Sequence, residues 1–406
     1  MDKKFKILKP QYFDAFRCRG EGCASNCCRR DWRIDVDKIG YYKLKSLPGT
    51  AWQKKFAQNI IPNKKPQMAD DDYAQIDNKK GGCPFLDGGL CSIELAWGKD
   101  YLPLVCHTYP RIYNIVDGIP EKALALSCPE AAKLILSDPN TLKFVQQEEE
   151  FYLFNIISNT LDTEQNNAFH KEQRYFAHLR FFLITLLQNR TYALWERLAI
   201  MGSFFYSLPS YGVPENIAAY KNRLQRHDFT HFLSSIPKHI ELKTEIIKRL
   251  LAMPNPLAES VFIECMAEFE CGFDVKGGLN TEEIEISLRY ADTYYNYYLP
   301  FLSANAHILE HYLVNHVFTT LFPFNEDRGL FTNYTYLAIH YALIKILLIG
   351  TASFQREKFN AASAIKLLSA FTHELEQDSF HLDWIINFLN DQNLNSLDNL
   401  LLLMKN

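Results

Sequence analysis

The sequence predicts a mainly α protein. A small cysteine-rich α+β domain with short hairpins is expected over residues 1–140, followed by a large all-helical domain over residues 141–406. Three observations carry this expectation. Eight of the ten cysteines lie in the first third of the chain. That third is cut by glycine and proline into short apolar runs, as turn-rich folds require. Beyond residue 140 the texture changes to long amphipathic segments.

At 406 residues the chain exceeds one ordinary core, and 48% hydrophobic residues with 14% aromatics can fill more than one. A net charge of -4 argues against bulk nucleic-acid binding. The charge is uneven: residues 1–135 hold 22 Lys+Arg against 16 Asp+Glu, or +6, which leaves -10 for the rest. Arg17, Arg19, Arg29, Arg30 and Arg33 thread the first cysteines, either as a solvated face or as compensation for an anionic thiolate–metal centre. No apolar leader follows Met1, so a cytoplasmic location is expected, with free thiols rather than disulfides. The apolar run Tyr334–Phe354 carries His340 and Lys345 near its middle and reads as a buried helix, not a membrane span.

In order along the chain, Pro10 argues against a long helix over residues 5–17. Cys18, Cys23, Cys27 and Cys28 then form a C-x4-C-x3-C-C run whose glycines permit tight turns. Trp32–Asp37 alternates like a short strand. Cys83 and Cys91 flank Asp87-Gly88-Gly89, a hairpin turn that would bring their sulfurs together. Ser92–Trp97 fits a short helix. Asp117-Gly118 signals a second hairpin, and pairing Val116 with Ile119 would carry Cys106 beside Cys128. Pro129-Glu130 then opens a helix, placing the positive end of its dipole near Cys128. Thiols gathered this way point to a metal or cluster, with buried structural cysteines as the plainer reading. Spacing alone does not choose between four-sulfur zinc sites and one iron–sulfur cubane.

Helices are expected at Phe151–Asn159, Lys171–Gln188, Tyr192–Leu208, Pro214–Leu233, Leu242–Met253, Ala304–Leu321, Tyr334–Ile349 and Ile365–Gln377, with breaks at Pro209–Pro214 and Pro323. Arg180, Gln188, Arg190 and Arg197 stand out against apolar neighbours. Arg190 and Arg197 would share a face of an unbroken helix. They suit either a bound carboxylate or, the commoner use, a tie between helices. Glu310 and Asn315 sit in a similarly apolar helix, where polar bridges are again the plainer reading. The tyrosines at 290, 294, 295, 297 and 298 should line a core or groove, and Cys265 and Cys271 should be buried apolar residues.

The chain has no Gly-x-Gly-x-x-Gly after a strand, no phosphate-binding Gly-x4-Gly-Lys-Ser/Thr, no Gly-x-Ser-x-Gly elbow and no Cys-x3-Cys-x2-Cys loop.

Several stretches together resemble the flagellin lysine-N-methylase family. In the cysteine third they are Phe16-Arg17-Cys18-Arg19-Gly20 through Cys27-Cys28, Cys83-Pro84-Phe85-Leu86, Gly89-Leu90-Cys91 and Tyr101-Leu102-Pro103. Cys106 with Tyr109-Pro110-Arg111, and Ser127-Cys128-Pro129-Glu130-Ala131-Ala132, complete that set. Leu186-Leu187-Gln188-Asn189-Arg190, Leu313-Val314-Asn315 and Leu321-Phe322-Pro323 extend the similarity into the helical part. The cysteine arrangement is also similar to a wider family of cysteine-cluster domains assigned zinc or iron–sulfur. The resemblance implies methyl transfer from S-adenosylmethionine to lysine amines of flagellin, with a [4Fe–4S] cluster, or zinc as the alternative. Cys18, Cys23, Cys27, Cys28, Cys83, Cys91, Cys106 and Cys128 are the implied ligand candidates. It names no catalytic residue; Arg180, Arg190, Arg197, Glu310 and Asn315 remain candidates for substrate or donor binding. A non-enzymatic metal-binding scaffold is the alternative reading.

Overall fold

In the computed structural model, β1 (Lys4–Pro10) forms where apolar and basic residues alternate at the start of the chain. The described residues are 4–23, 26–29, 33–64, 70, 72–78, 82–151, 156–164, 171–251, 260–273, 283–324, 328–377, 380–391 and 395–406. Arg30, Trp32 and Met253, named above, lie outside them. Two units are distinguished. The first takes in Met1–Ile115, Ile119–Ala131 and Phe144–Thr160; the second takes in Val116–Gly118, Ala132–Lys143 and Leu161–Asn406.

After β1, the first unit continues with β2 (Ile34–Val36), α1 (Lys38–Lys45), α2 (Thr50–Asn59), β3 (Ile60–Pro62) and β4 (Ala74–Ile76). Then come β5 (Leu86–Asp87), β6 (Leu90–Cys91), α3 (Ser92–Trp97), α4 (Leu104–Thr108), β7 (Arg111–Val116), β8 (Ile119–Leu124), the start of α5 (Pro129–Leu136), β9 (Phe144–Glu150) and β10 (Ile157–Leu161). The larger sheet has the order β10-β7-β8-β1-β9. Its edge is held by charge. β1 runs antiparallel to β9, setting Lys4 opposite Glu150 and Lys6 opposite Glu148. Buried Lys9 pairs with both Asp14 and Glu149. The expected helix at Phe151–Asn159 is therefore a correction: Ile157–Leu161 is a strand with alternating exposure, while residues 152–155 lie outside the described set.

A second core lies under the cysteines. Sheet β2-β4-β3 packs with α1, α2 and α3 around Trp52, Phe56, Phe85 and Ile93. Asp37 caps α1 by accepting from the Gly40 N–H at 2.8 Å, and Trp52 Nε1–H donates to the Leu44 carbonyl at 2.9 Å. Cys83, Cys91 and Cys106 pack against this core.

The second unit is helical. It contains α6 (Phe176–Leu187), α7 (Leu194–Tyr211), α8 (Val213–Gln225), α9 (Thr230–Ser235), α10 (Glu241–Leu251), α11 (Ser260–Phe273) and α12 (Glu283–Thr293). A π-helical turn at Tyr294–Tyr298 leads into α13 (Leu299–Thr319), followed by α14 (Leu330–Gln355), α15 (Ala361–Gln377), α16 (Phe380–Asp391) and α17 (Leu397–Met404). The break expected at Pro209–Pro214 falls at Gly212, whose φ of 73° ends α7; Pro209 is accommodated inside the last turn. α14 belongs to Leu330–Lys358, which is long and apolar enough to cross a membrane by length and composition, yet 89% of its most apolar window is buried within the structure.

α11 and α14 cross closely through two glycines. A Cβ on Gly272 would run into the carbonyl oxygen of Gly350, and one on Gly350 into the Phe269 ring. Gly272→Ala should therefore cost about 1–3 kcal/mol by overpacking, read as a lower urea midpoint. An unchanged midpoint would show that the crossing relaxes freely.

Candidate functional site

All eight cysteines of the first third line a single cavity of about 740 Å³ in the first unit. The chain achieves this with local devices. Gly88 and Gly89 both take positive φ (57° and 88°), which closes the β5–β6 hairpin and pairs Leu86 with Cys91. Asp117 and Gly118 do the same for β7–β8 (49° and 75°). The expected pairing extends to a 2.8 Å bond from the Ala125 N–H to the Pro110 carbonyl. Beyond that point the ladder stops, because Cys106 belongs to α4. It still reaches the same cavity as Cys128.

Backbone bonds stitch the two cysteine groups together. The Cys83 N–H donates to the Cys28 carbonyl at 2.6 Å. Asn26 Nδ2 donates to the Gly89 carbonyl at 3.1 Å, while its Oδ1 accepts from the Cys28 N–H at 2.9 Å. Gly82 permits this approach: its φ is 125°, and a Cβ there would lie 3.1 Å from the Cys28 carbonyl oxygen.

Five of the sulfurs share one electrostatic neighbourhood. Cys28 is held well above an ordinary thiol pKa by its hydrogen bond with Cys27, by burial, and by Cys27, Cys83 and Cys106 nearby. Burial raises Cys83, with Cys91 and Cys27 adding to the shift and the Phe85 N–H and Lys55 opposing it. Burial also raises Cys106, reinforced by Cys83, Cys27 and Cys91. Without a cation these groups resist becoming thiolates together. Cys18, Cys23 and Cys128 line the same cavity. Among the described residues, no group of three or more His, Cys, Asp or Glu side chains stands at ligand spacing around one point. The cavity thus gathers the donors without presetting their geometry.

In the helical unit, Arg190, Arg197 and Glu310 meet. Arg190 grips the carboxylate from Nε at 3.0 and 3.1 Å and from Nη2 at 2.8 Å; Arg197 Nη1 donates to it at 2.7 Å. The shared helix face expected for the two arginines does not exist, since Arg190 lies in the turn between α6 and α7. Arg197 also donates to the carbonyls of Tyr192 and Leu187, and Arg190 to that of Pro139. Arg180 is buried over the rings of Phe176 and Phe318 at 4.5 and 5.0 Å. Asn315 is buried five residues after Glu310, about 140° round the same helix. Gln188 donates to the Leu142 carbonyl at 2.9 Å.

A histidine pair beside this knot escaped the sequence reading. His311 is fully buried, and its Nδ1 lies 2.9 Å from the Ile135 carbonyl. A carbonyl only accepts, so Nδ1 carries the proton and the neutral ring leaves Nε2 bare, 3.9 Å from Glu310 Oε1. His307 lies one turn earlier. The spacing His307-x2-Glu310-His311 was the available signal.

Cys265 is buried, but Cys271 is exposed, a correction to the expectation for it. Six residues at about 100° each turn the second thiol about 240° from the first.

Residues 180–403, more than half of the chain, match the family model described as the FliB lysine N-methylase C-terminal domain. No curated protein and no solved structure matches the chain.

Proposed function

We propose that this chain, which belongs to the FliB lysine N-methylase family, is a methyltransferase that modifies lysine amines of flagellin. The family match over residues 180–403 is the observation that carries this reading. Its finer form takes S-adenosylmethionine as methyl donor and a [4Fe–4S] cluster in the cysteine-rich unit, with zinc as the alternative. It places the protein in the cytoplasm, without nucleic-acid partners or a transmembrane segment.

The donor set supports a thiolate-bound centre in kind and in number. The cavity offers soft sulfur donors and more of them than one four-cysteine centre needs. Cys27, Cys28, Cys83, Cys91 and Cys106 are the residues that would hold it, with Cys18, Cys23 and Cys128 along the same wall. A bound cluster supplies one-electron chemistry, whereas zinc supplies cross-linking or Lewis acidity. Either cation would offset the burial and mutual repulsion that oppose ionisation of these thiols.

Methyl transfer to a lysine forms an N–C bond as the donor's S–C bond breaks, and only the neutral amine has the electron pair to do it. A free lysine titrates near pH 10.4, so the protein must desolvate the amine and accept its proton.

Mass spectrometry of flagellin from cells with and without the gene tests the activity. Methylated lysines should occur only with the gene, and unmethylated lysines in both would sink the reading. For the centre, protein purified anaerobically should be coloured and carry iron, and Cys83→Ser with Cys106→Ser should abolish both. A colourless wild-type protein with tightly held zinc would overturn the cluster and leave the methylase reading standing.

A further inference from the structure

We propose that Lys55 of α2 is a positioning charge for the thiolate-bound centre, fixed behind the Cys83–Cys91 hairpin to favour the reduced, more anionic state of an iron–sulfur cluster. The proposal rests on the cluster form of the reading above. Trp52, Lys55 and Phe56 stand at i, i+3 and i+4 of α2, so they share one face. Trp52 and Phe56 are buried in the core under the cysteines, and the Trp52 ring lies 5.5 Å from that of Phe85.

Lys55 follows them inward. Its side chain is half-buried, and Nζ lies 5.3 Å from the centre of the Phe85 ring and 3.5 Å from Ser92 Oγ. Both contacts belong to the sulfur-bearing hairpin. Phe85 is two residues after Cys83, Ser92 directly follows Cys91, and the Ser92 N–H donates to the Phe85 carbonyl at 2.8 Å. Neither Lys55 nor Ser92 lines the cavity, so the ammonium acts on the sulfurs through its field and not as a ligand.

A half-buried ammonium ordinarily finds a carboxylate. Among the described residues none stands at ion-pair distance from Lys55, whose contacts are a ring and a hydroxyl. The arginines nearer the cysteines in sequence are spent elsewhere. Arg17 donates to the carbonyls of Asp14 and Phe16, Arg19 faces Glu130 at 3.5 Å, and Arg33 faces Asp35 at 2.7 Å and Asp72 at 3.4 Å. The field of Lys55 is felt at the Cys83 sulfur. A cluster held by four thiolates is anionic and gains one more negative charge on reduction, so a fixed cation beside it favours the reduced state.

The test uses the full chain purified anaerobically with its cluster, and reads the midpoint potential of the cluster by spectroscopic titration. Lys55→Met keeps the apolar stem and removes the charge. Reduction should become about tenfold less favourable, a fall of about 59 mV for one electron. Lys55→Arg keeps the charge and should return the potential to the wild-type value, while Lys54→Met, on the exposed neighbour, should leave it unmoved. Should Lys55→Met hold too little iron to titrate, Lys55→Gln takes the same measurement. An iron protein whose potential is the same with and without the Lys55 charge overturns this role and leaves the cluster standing. An equal fall in Lys54→Met also overturns it, because the effect would then be one of net charge. A colourless wild-type protein with tightly held zinc overturns the cluster and this role together.

Discussion

Replacing Glu310 with alanine should destabilise the protein by about 3–5 kcal/mol, because it strands a buried guanidinium without its counter-charge. The two side chains that meet deepest, Arg197 and Glu310, are 5% and 1% exposed, so neither recovers hydration when the other is removed. Arg190 differs. Its side chain is 43% exposed, and Arg190→Ala should cost only about 1 kcal/mol by the measure of exposed pairs. At about 2.1 cal/mol/K per residue, about 3 kcal/mol lowers the melting temperature of a chain of 406 residues by roughly 3–4 °C. Glu310→Gln keeps the shape and one acceptor, and should fall between the two. A Glu310→Ala protein within about 1 kcal/mol of wild type would show that water enters and pays the charge back. The Arg190 variant separates a tie from a binding group. A structural tie shifts the melting temperature slightly and leaves KM alone, whereas a substrate-binding guanidinium raises KM without that shift.

The elements legible in advance were those fixed by neighbours in sequence. Gly88-Gly89 and Asp117-Gly118 each supply two residues at positive φ, and no distant contact is needed to close those hairpins. α3 matches its expected bounds, and α5 starts at the expected proline, for the same local reason. β9 is the opposite case. Gln146-Gln147-Glu148-Glu149-Glu150 is a poor strand by propensity, and it pairs because β1, far away in sequence, brings lysines opposite. No window along the chain contains both halves of that ladder.

The candidate site divides in the same way. Cysteine spacing located the eight sulfurs, and the hairpins accounted for how some of them meet. The clasp of Asn26 on Gly89, and the close pass of Gly82 to Cys28, depend on contacts across 50 or more residues that spacing does not encode. Glu310 was visible as a lone acid in an apolar helix, but its partner Arg190 is 120 residues away. A buried charge announces that a counter-charge exists; only the fold says which one it is.

Between pH 7 and 8.5 the protein should become steadily more stable as pH rises, and two buried lysines are the cause. Lys243 donates to the carbonyls of His239 and Leu402 at 2.8 and 2.9 Å, and burial pulls its pKa from 10.5 down to about 7. Glu241 opposes that shift only partly. Lys345 donates to the Met404 carbonyl, and burial with Lys243 nearby holds it well below the ordinary lysine value. Both ammonium groups thus serve the last carbonyls of α17, where a helix end welcomes a cation, yet burial outweighs that benefit. In this window the unfolded chain keeps both lysines protonated while the folded one has released protons, so the unfolded state binds more. Stability then rises with pH by up to about 1.4 kcal/mol per unit per lysine, and the Lys243 share of the penalty is complete only below about pH 7. In metal-free protein above pH 8.5, the raised thiols of Cys28, Cys83 and Cys106 act with the opposite sign, since the fold then holds protons that the unfolded chain has lost. Lys243→Met with Lys345→Met isolates the lysine contribution: urea midpoints at pH 7, 7.75 and 8.5 should climb in wild type and stay nearly level in the double variant. Parallel slopes would mean that both lysines stay charged in the fold, and that the carbonyls of α17 hold ammonium ions outright.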